Sequence, residues 1–276
     1  MNITLKNTKY LIEEMTTDGH APLKFMCDDD EVYYCKYLNS FDKLEIDCLA
    51  YEVVAHFLLQ ELEIPTPEMA LIKVAAETLD KTKIKANRRL KVGDTCFGSK
   101  EINPSLVLND LIPVLNKKDF NRIKNPTDLI KIAIFDLWVN NSDRGRYVEP
   151  GFNYNLLIHQ KLIQEEIIAF DHAFIFGGVN SIGIFNKRIP LDKSNKIYTS
   201  PYYKEILKFI SKEEFEQIVN NFIPLLRNNY EKIIEHIISE LKKVWNLSLN
   251  LDKKIIDYIS CVDRINEIQT IILHSK

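Results

Sequence analysis

The residues best able to do chemistry together lie between Phe135 and Gly177. An apolar segment ends in Asn140-Asn141-Ser142-Asp143-Arg144, which puts an acid in a polar loop. Asn153-Tyr154-Asn155 comes next and runs into Leu156-Leu157-Ile158. After a turn, Ile167-Ile168-Ala169-Phe170 delivers a second acid, Asp171, at its end. An acid on a loop, then amides, then an acid after a hairpin is the order that phosphoryl transfer uses. One Asp accepts the proton of the attacking hydroxyl, a downstream Asn binds Mg²⁺, and a later Asp binds the Mg²⁺ that bridges the nucleotide phosphates. The residue types suit those tasks. Mg²⁺ is a hard cation that takes oxygen ligands, which carboxylates and amides supply. The base must be a small acid within hydrogen-bond reach of the acceptor hydroxyl.

Each residue also has a structural use. Asp143 in Asn-Ser-Asp reads as a turn acid, Asn153 and Asn155 as strand-entry residues, and Asp171 as a turn cap. It is their order that points to chemistry. His172 reads as a structural donor. Arg144 reads either as a phosphate contact or as half of a structural salt bridge.

The elements that must position these residues begin with strands. Tyr10-Leu11-Ile12, Leu23–Cys27 and Val32–Leu38 read as strands, with a hairpin turn at Asp28-Asp29-Asp30. Lys36 lies between apolar Cys35 and Tyr37. A buried ammonium without a partner is costly, so it needs an acid. The next element, a helix over 44–62, offers Glu45 and Glu52, and Glu52 is the better bracketed by core positions. Ile64-Pro65-Thr66-Pro67 stops that helix, and Met69–Val74 reads as another strand. Thr78 to Leu90 is charged and aperiodic, as expected of a crossing between two units. Leu90 to Ile102 reads as a small hairpin, Leu106 to Leu115 as a helix, and Leu129 to Val139 as a buried helix opened by Thr127-Asp128. Ser211-Lys212-Glu213-Glu214 is a capping box, and Pro224 ends its helix. Two apolar stripes follow, from Tyr230 to Val244 and from Ile255 to Ile272. They read as core-facing helices.

Composition narrows the class. With 276 residues, 46% of them hydrophobic, the chain can bury the core of one large domain or two lobes. A formal net charge of −3 gives no argument for binding nucleic acid or an anionic membrane. Cys27, Cys35, Cys48, Cys96 and Cys261 form no C-x-x-C pair and no metal spacing, which points to reduced thiols in a cytosolic protein. The start, MNITLKNTKY, has no apolar signal-peptide core. No run reaches the roughly 18 apolar residues of a membrane span. A cytoplasmic location is the expectation.

Taken together, these residues resemble the HipA-like kinases, within the wider protein-kinase-like fold. The resemblance is to a compact subgroup that lacks the extra N-terminal region of larger HipA proteins. It rests on Trp138-Val139-Asn140-Asn141-Ser142-Asp143-Arg144, on Asn153-Tyr154-Asn155-Leu156-Leu157 and on Ile168-Ala169-Phe170-Asp171-His172. Ile64-Pro65-Thr66-Pro67 and Cys96-Phe97-Gly98-Ser99 support it. The resemblance implies an α+β, two-lobed fold, with a small, mainly β N-lobe over 1–77 and a larger helical C-lobe over 78–276. It implies ATP and Mg²⁺ as cofactors, Asp143 as catalytic base, Asn155 as a Mg²⁺ ligand and Asp171 as the main one. Lys36 would contact the α- and β-phosphates and pair with Glu52, and the backbone near Gly19 would cover the phosphates.

The sequence departs from the family in three places. Asn153 and Asn155 stand ten and twelve residues after Asp143, where the family has about five and seven. Tyr147-Val148-Glu149-Pro150-Gly151 must therefore loop out, which leaves Asn153 as an alternative to Asn155. The phosphate loop has one glycine, and Gly177-Gly178 follows Asp171 only at a distance. The implied activity is a protein serine/threonine kinase with a protein substrate and an antitoxin or regulatory partner, in bacterial growth control or a toxin–antitoxin system. Two rivals share the nucleotide site: a small-molecule kinase of antibiotic-phosphotransferase type, and a pseudokinase acting as a nucleotide-binding regulatory module. The single-glycine loop and the long insertion speak for the pseudokinase.

Overall fold

The computed structural model describes the chain except residues 1, 16–20, 38–42, 86–88, 112–113, 115, 150, 177–184, 189–190, 192 and 195, and the side chains of 43, 44 and 81. Gly19 and the Gly177-Gly178 pair therefore lie outside the described residues.

The N-terminal part is a closed five-stranded barrel. Its strands are β1 (Leu5–Glu14), β2 (Leu23–Cys27), β3 (Val32–Lys36), β4 (Met69–Lys73) and β5 (Thr95–Lys100), in the order β1-β2-β3-β5-β4. Parallel pairing of Leu5 with Leu71 closes the ring. Strand alternation decides which side chains fill it. Leu23, Phe25, Cys27, Tyr33 and Cys35 point inward and form the barrel's own small core. Lys36, one residue on, must then face outward.

Two expectations change here. Thr95–Lys100 is not half of a local hairpin: it pairs with both β3 and β4. A boundary at 77 would therefore cut through the barrel. Gly98 permits the pairing, since a Cβ there would lie 2.4 Å from Ile72 Cγ1.

Outside the barrel lies α1 (Lys43–Glu61), buried at every position from Ile46 to Leu59. It needs no polar face because it sits between the barrel and the C-terminal part. Leu71 and Phe97, on the outer face of the barrel, share one core with α1 and the later helices. Further ties cross to the C-terminal part. Trp245 Nε1 donates to the Thr95 carbonyl, Ser248 N–H to Asp47, and Ala169 N–H to the Pro65 carbonyl.

Burial in α1 has a consequence for pH. It pushes the His56 imidazole down to about 4, against the upward pull of its bond to the Pro67 backbone. Between its ordinary value of 6.5 and about 4, unfolded His56 takes a proton that folded His56 refuses. The unfolded state then binds more protons, so this residue's contribution to stability is complete above 6.5 and is lost as pH falls through that window, by roughly 1.4 kcal/mol per pH unit. We expect His56→Gln to remove that slope. Urea midpoints of both proteins between about pH 7 and 4.5 should converge on acidification; parallel curves would contradict the assignment.

The C-terminal part starts with a three-stranded sheet, order β10-β9-β6, from β6 (Ser105–Val107), β9 (Leu156–Gln160) and β10 (Glu165–Ala169). Here too an expectation fails: Leu106 and Val107 are strand, not helix. Leu106 pairs with Ile158, and an Asx turn in which Leu111 N–H donates to Asn109 diverts the chain. A short hairpin, β7 (Arg146–Val148) and β8 (Gly151–Asn153), is the looped-out insertion. The helices are α2 (Lys117–Arg122), α3 (Asp128–Trp138), α4 (Pro201–Leu207), α5 (Lys212–Phe222), α6 (Glu231–Leu241), α7 (Leu251–Ile259) and α8 (Val262–Leu273). Ser211 caps α5 by accepting from Glu214 N–H. The stripe from Ile255 to Ile272 is two helices, broken at Ser260-Cys261. α3 lies at the centre, with Leu129, Ile130, Ile132, Ile134 and Phe135 almost wholly buried. None of the five cysteines forms a disulfide. Among the described residues, no helix is long and apolar enough to cross a membrane.

Candidate active site

Lys36 leaves β3 toward α1 and reaches two acids. Its ammonium is 2.5 Å from Glu52 Oε1 and 2.6 Å from Asp171 Oδ1. Burial by itself would discharge it, but the attraction of Asp171 and Glu52 outweighs burial and holds its pKa above the ordinary lysine value. Glu52 is 3% exposed. Burial pushes its carboxyl up, against the pull of Lys36. Its second oxygen accepts the His172 backbone N–H at 2.8 Å. One glutamate on α1 thus fixes both the lysine and the backbone just past Asp171.

Asp143 stands on the loop that follows α3. Its backbone N–H donates to Asn141 Oδ1 at 3.0 Å, and its Oδ2 accepts from Asn155 Nδ2 at 2.8 Å. Asn155 just precedes β9, and Asp171 lies two residues past β10. Asn155 O accepts the Phe170 N–H at 3.2 Å, which brings the two strand ends together. Asn155 and Asp171 both have left-handed backbones, at φ +46° and +60°. Asn and Asp are the non-glycine types that enter that region most readily, and both carry side-chain oxygens of the kind a hard cation takes. Asn153 is the last residue of β8; its carbonyl accepts the Gly145 N–H.

Beneath these residues lies a polar cluster built around Arg144, which is fully buried. Its guanidinium donates to Asp136 Oδ1 at 2.6 Å and to the carbonyls of Tyr154 (3.1 Å), Asn155 (3.3 Å) and Phe170 (2.6 Å). Nη2 is also 3.0 Å from His172 Nε2. Burial, reinforced by the Arg144 and Lys36 charges, holds His172 well below the ordinary histidine range, so its ring is neutral and accepts. Of the two readings for Arg144, the structure shows the salt bridge. It clamps the ends of both strands that carry Asn155 and Asp171 to the loop of Asp143.

The roles of three members of this cluster went unread in the sequence. Asp136 did leave a signal: an acid inside the apolar run from Ile132 to Trp138 must be paired. Asn141 was read as part of the loop, but its side chain accepts from the Asp143 and Arg144 amides and donates to Asp136. Lys196, whose Nζ donates to the Asn141 carbonyl at 2.6 Å, left none.

The donor set suits a divalent cation bound with a nucleotide. Asn155 directs its amide N–H at Asp143, which leaves its oxygen for a hard cation beside the Asp171 carboxylate. Among the described residues, no group of three or more His, Cys, Asp or Glu side chains could hold a metal alone. Phosphate oxygens and water would complete the shell, as Mg²⁺ prefers. Lys36 uses two of its three N–H groups on the acids, which leaves one for a phosphate oxygen.

A family model described as HipA-like kinase matches residues 11–253. Comparison with curated proteins gives no match. Among solved structures, the Helicobacter pylori proinflammatory kinase CtkA aligns with a TM-score of 0.52 at 12% identity, over 98% of this chain and 97% of that one. The Golgi casein kinase with Mn/ADP bound aligns with a TM-score of 0.48 at 12% identity, over 99% of this chain and 74% of that one. The likeness to CtkA bears on the fold: a β-rich N-terminal lobe and a helical C-terminal lobe, as in protein kinases.

Proposed function

The chain belongs to the HipA-like kinase family, and from that premise we propose that it is an ATP- and Mg²⁺-dependent kinase that phosphorylates Ser or Thr hydroxyls of a protein substrate. The observation that carries this reading is one connected cluster. Glu52, Lys36 and Asp171 form an ion-paired chain, Asn155 joins Asp143, and Arg144 binds the backbone between them.

In this reading Asp143 takes the proton of the acceptor hydroxyl through its carboxylate. Asn155 orients that carboxylate from one side, and Asn141 holds its backbone from the other. Lys36 holds phosphate oxygens with its remaining N–H while Glu52 keeps the ammonium charged and in place. Asp171 and Asn155 would hold Mg²⁺, which when bound neutralises phosphate charge and orients the γ-phosphoryl group. A cytoplasmic place of action and a regulatory, antitoxin-type partner belong to the same proposal.

Asp171→Asn tests the metal half. Asn tolerates the left-handed backbone at this position, so the turn should hold. Saturating Mg-ATP, at about 100 times its Kd, should stabilise the wild type by about 2.7 kcal/mol. The variant should lose most of the Mg²⁺-dependent part of the thermal shift and keep any metal-independent part. Equal Mg²⁺-dependent shifts in both proteins would remove Asp171 from the metal site.

A further inference from the structure

The loop of Asp143 is also held from a side the proposed mechanism leaves unused. Lys196 is 2% exposed, and its ammonium donates to the Asn141 carbonyl at 2.6 Å. Close by, Gly145 has φ +86°, and a Cβ there would lie 2.2 Å from Ile197 N and from Lys196 C. No side chain fits between these two backbones, so the loop and residues 196–197 are in direct contact. Thr199 N–H and its hydroxyl both donate to the Lys196 carbonyl, which fixes the stretch in a 3-10 turn. The base loop is likewise tied to the start of the segment after Asp171: Ser142 N–H donates to the Phe174 carbonyl, and the Val139 carbonyl accepts from Phe176 N–H.

We propose that Lys196 is a positioning residue for Asp143: with Gly145 it anchors Asn141-Ser142-Asp143 to the far end of the segment that follows Asp171. The link runs through Asn141. Lys196 holds the Asn141 carbonyl, and the Asn141 side chain accepts the Asp143 N–H. Displacing Asn141 therefore displaces the base. Lys196 also helps to charge the buried Asp136, whose carboxyl burial pushes up while Arg144, Asn141 and Lys196 pull it down. A purely structural lysine would do only the latter.

The function of this anchor rests on Asp143 being the base, so the test needs one measurement that does not depend on activity. In Lys196→Met, amide hydrogen exchange in 141–145 should quicken about tenfold or more, with α3 unchanged. The rate of transfer from γ-labelled ATP at saturating Mg-ATP should fall about 10- to 100-fold, with the KM for Mg-ATP within about twofold of wild type. Wild-type exchange in 141–145 overturns the anchor. Folded Lys196→Met with a wild-type transfer rate overturns its role in positioning, as does a rate loss accompanied by an equal rise in KM. If Lys196→Met fails to fold, Gly145→Ala decides, because it keeps the Lys196 charge beside Asp136 but a Cβ at 145 forces the loop and residues 196–197 apart. A slower rate at unchanged KM supports positioning; a wild-type rate refutes it. If the wild type transfers no phosphate, the exchange data still decide the anchor, and the kinase reading fails separately.

Discussion

Asp143→Asn should lower phosphate transfer by roughly 10²–10⁴-fold, the usual worth of a positioned general base, while the fold and Mg-ATP affinity stay as they are. The geometry explains both halves of that result. The new side chain has almost the same volume, and its amide oxygen can still accept from Asn155 Nδ2, the bond now made by Asp143 Oδ2. The loop keeps its shape because the bond from residue 143 N–H to Asn141 is a backbone donation that the substitution does not touch. What disappears is the capacity to take up the hydroxyl proton. Asp143 forms no ion pair with Lys36; those pairs belong to Glu52 and Asp171. Nucleotide affinity is therefore expected to separate the two acids. Asp171→Asn should weaken both binding and transfer, and Asp143→Asn transfer alone. Loss of Mg-ATP binding in Asp143→Asn equal to that in Asp171→Asn would make Asp143 a metal ligand or a structural acid.

Arg144→Met should cost about 3–5 kcal/mol of stability, the range for breaking a buried ion pair by removing one partner. At this chain length that is a fall of about 10 °C in Tm. Methionine fills much of the space but supplies no donor. Asp136, itself fully buried, would keep only Asn141 on its paired oxygen, while its other oxygen has no hydrogen-bond partner to begin with. The carbonyls of Tyr154, Asn155 and Phe170 would lose a donor together. Asp136→Leu combined with Arg144→Met should recover part of the loss, because the uncompensated charge is then gone. Urea melts of the two single variants and the double variant measure this directly. A loss below about 1 kcal/mol for Arg144→Met would reduce the cluster to an incidental contact.

Much of the site could be read from local pattern. Lys36 between apolar neighbours demanded an acid, and the centre of the next helix supplied Glu52. Asp143, Asn155 and Asp171 were legible because each borders an apolar run, before it or after it, and strand or helix ends are where the fold exposes polar side chains. What stayed hidden depends on pairing across long stretches of chain. β5 joins β3 and β4 from more than twenty residues beyond β4, and nothing in Thr-Cys-Phe-Gly-Ser-Lys announces those partners. β6 is made a strand by β9, some fifty residues away; strand preference reflects such neighbours more than intrinsic tendency. Lys196 was invisible for the same reason. In a polar stretch beside Lys193 it looks like a solvated lysine, and only the folded chain brings it beneath the base loop.

Phosphate transfer is the property that distinguishes this cluster from a nucleotide-binding module. The most direct measurement incubates the purified chain with γ-labelled ATP and Mg²⁺, alone and with a bacterial lysate, and locates the label by mass spectrometry. Label is expected on Ser or Thr hydroxyls with the wild type and essentially none with Asp143→Asn. A wild type that binds Mg-ATP yet labels neither itself nor any lysate protein would contradict the kinase reading and leave a nucleotide-binding regulatory module in its place.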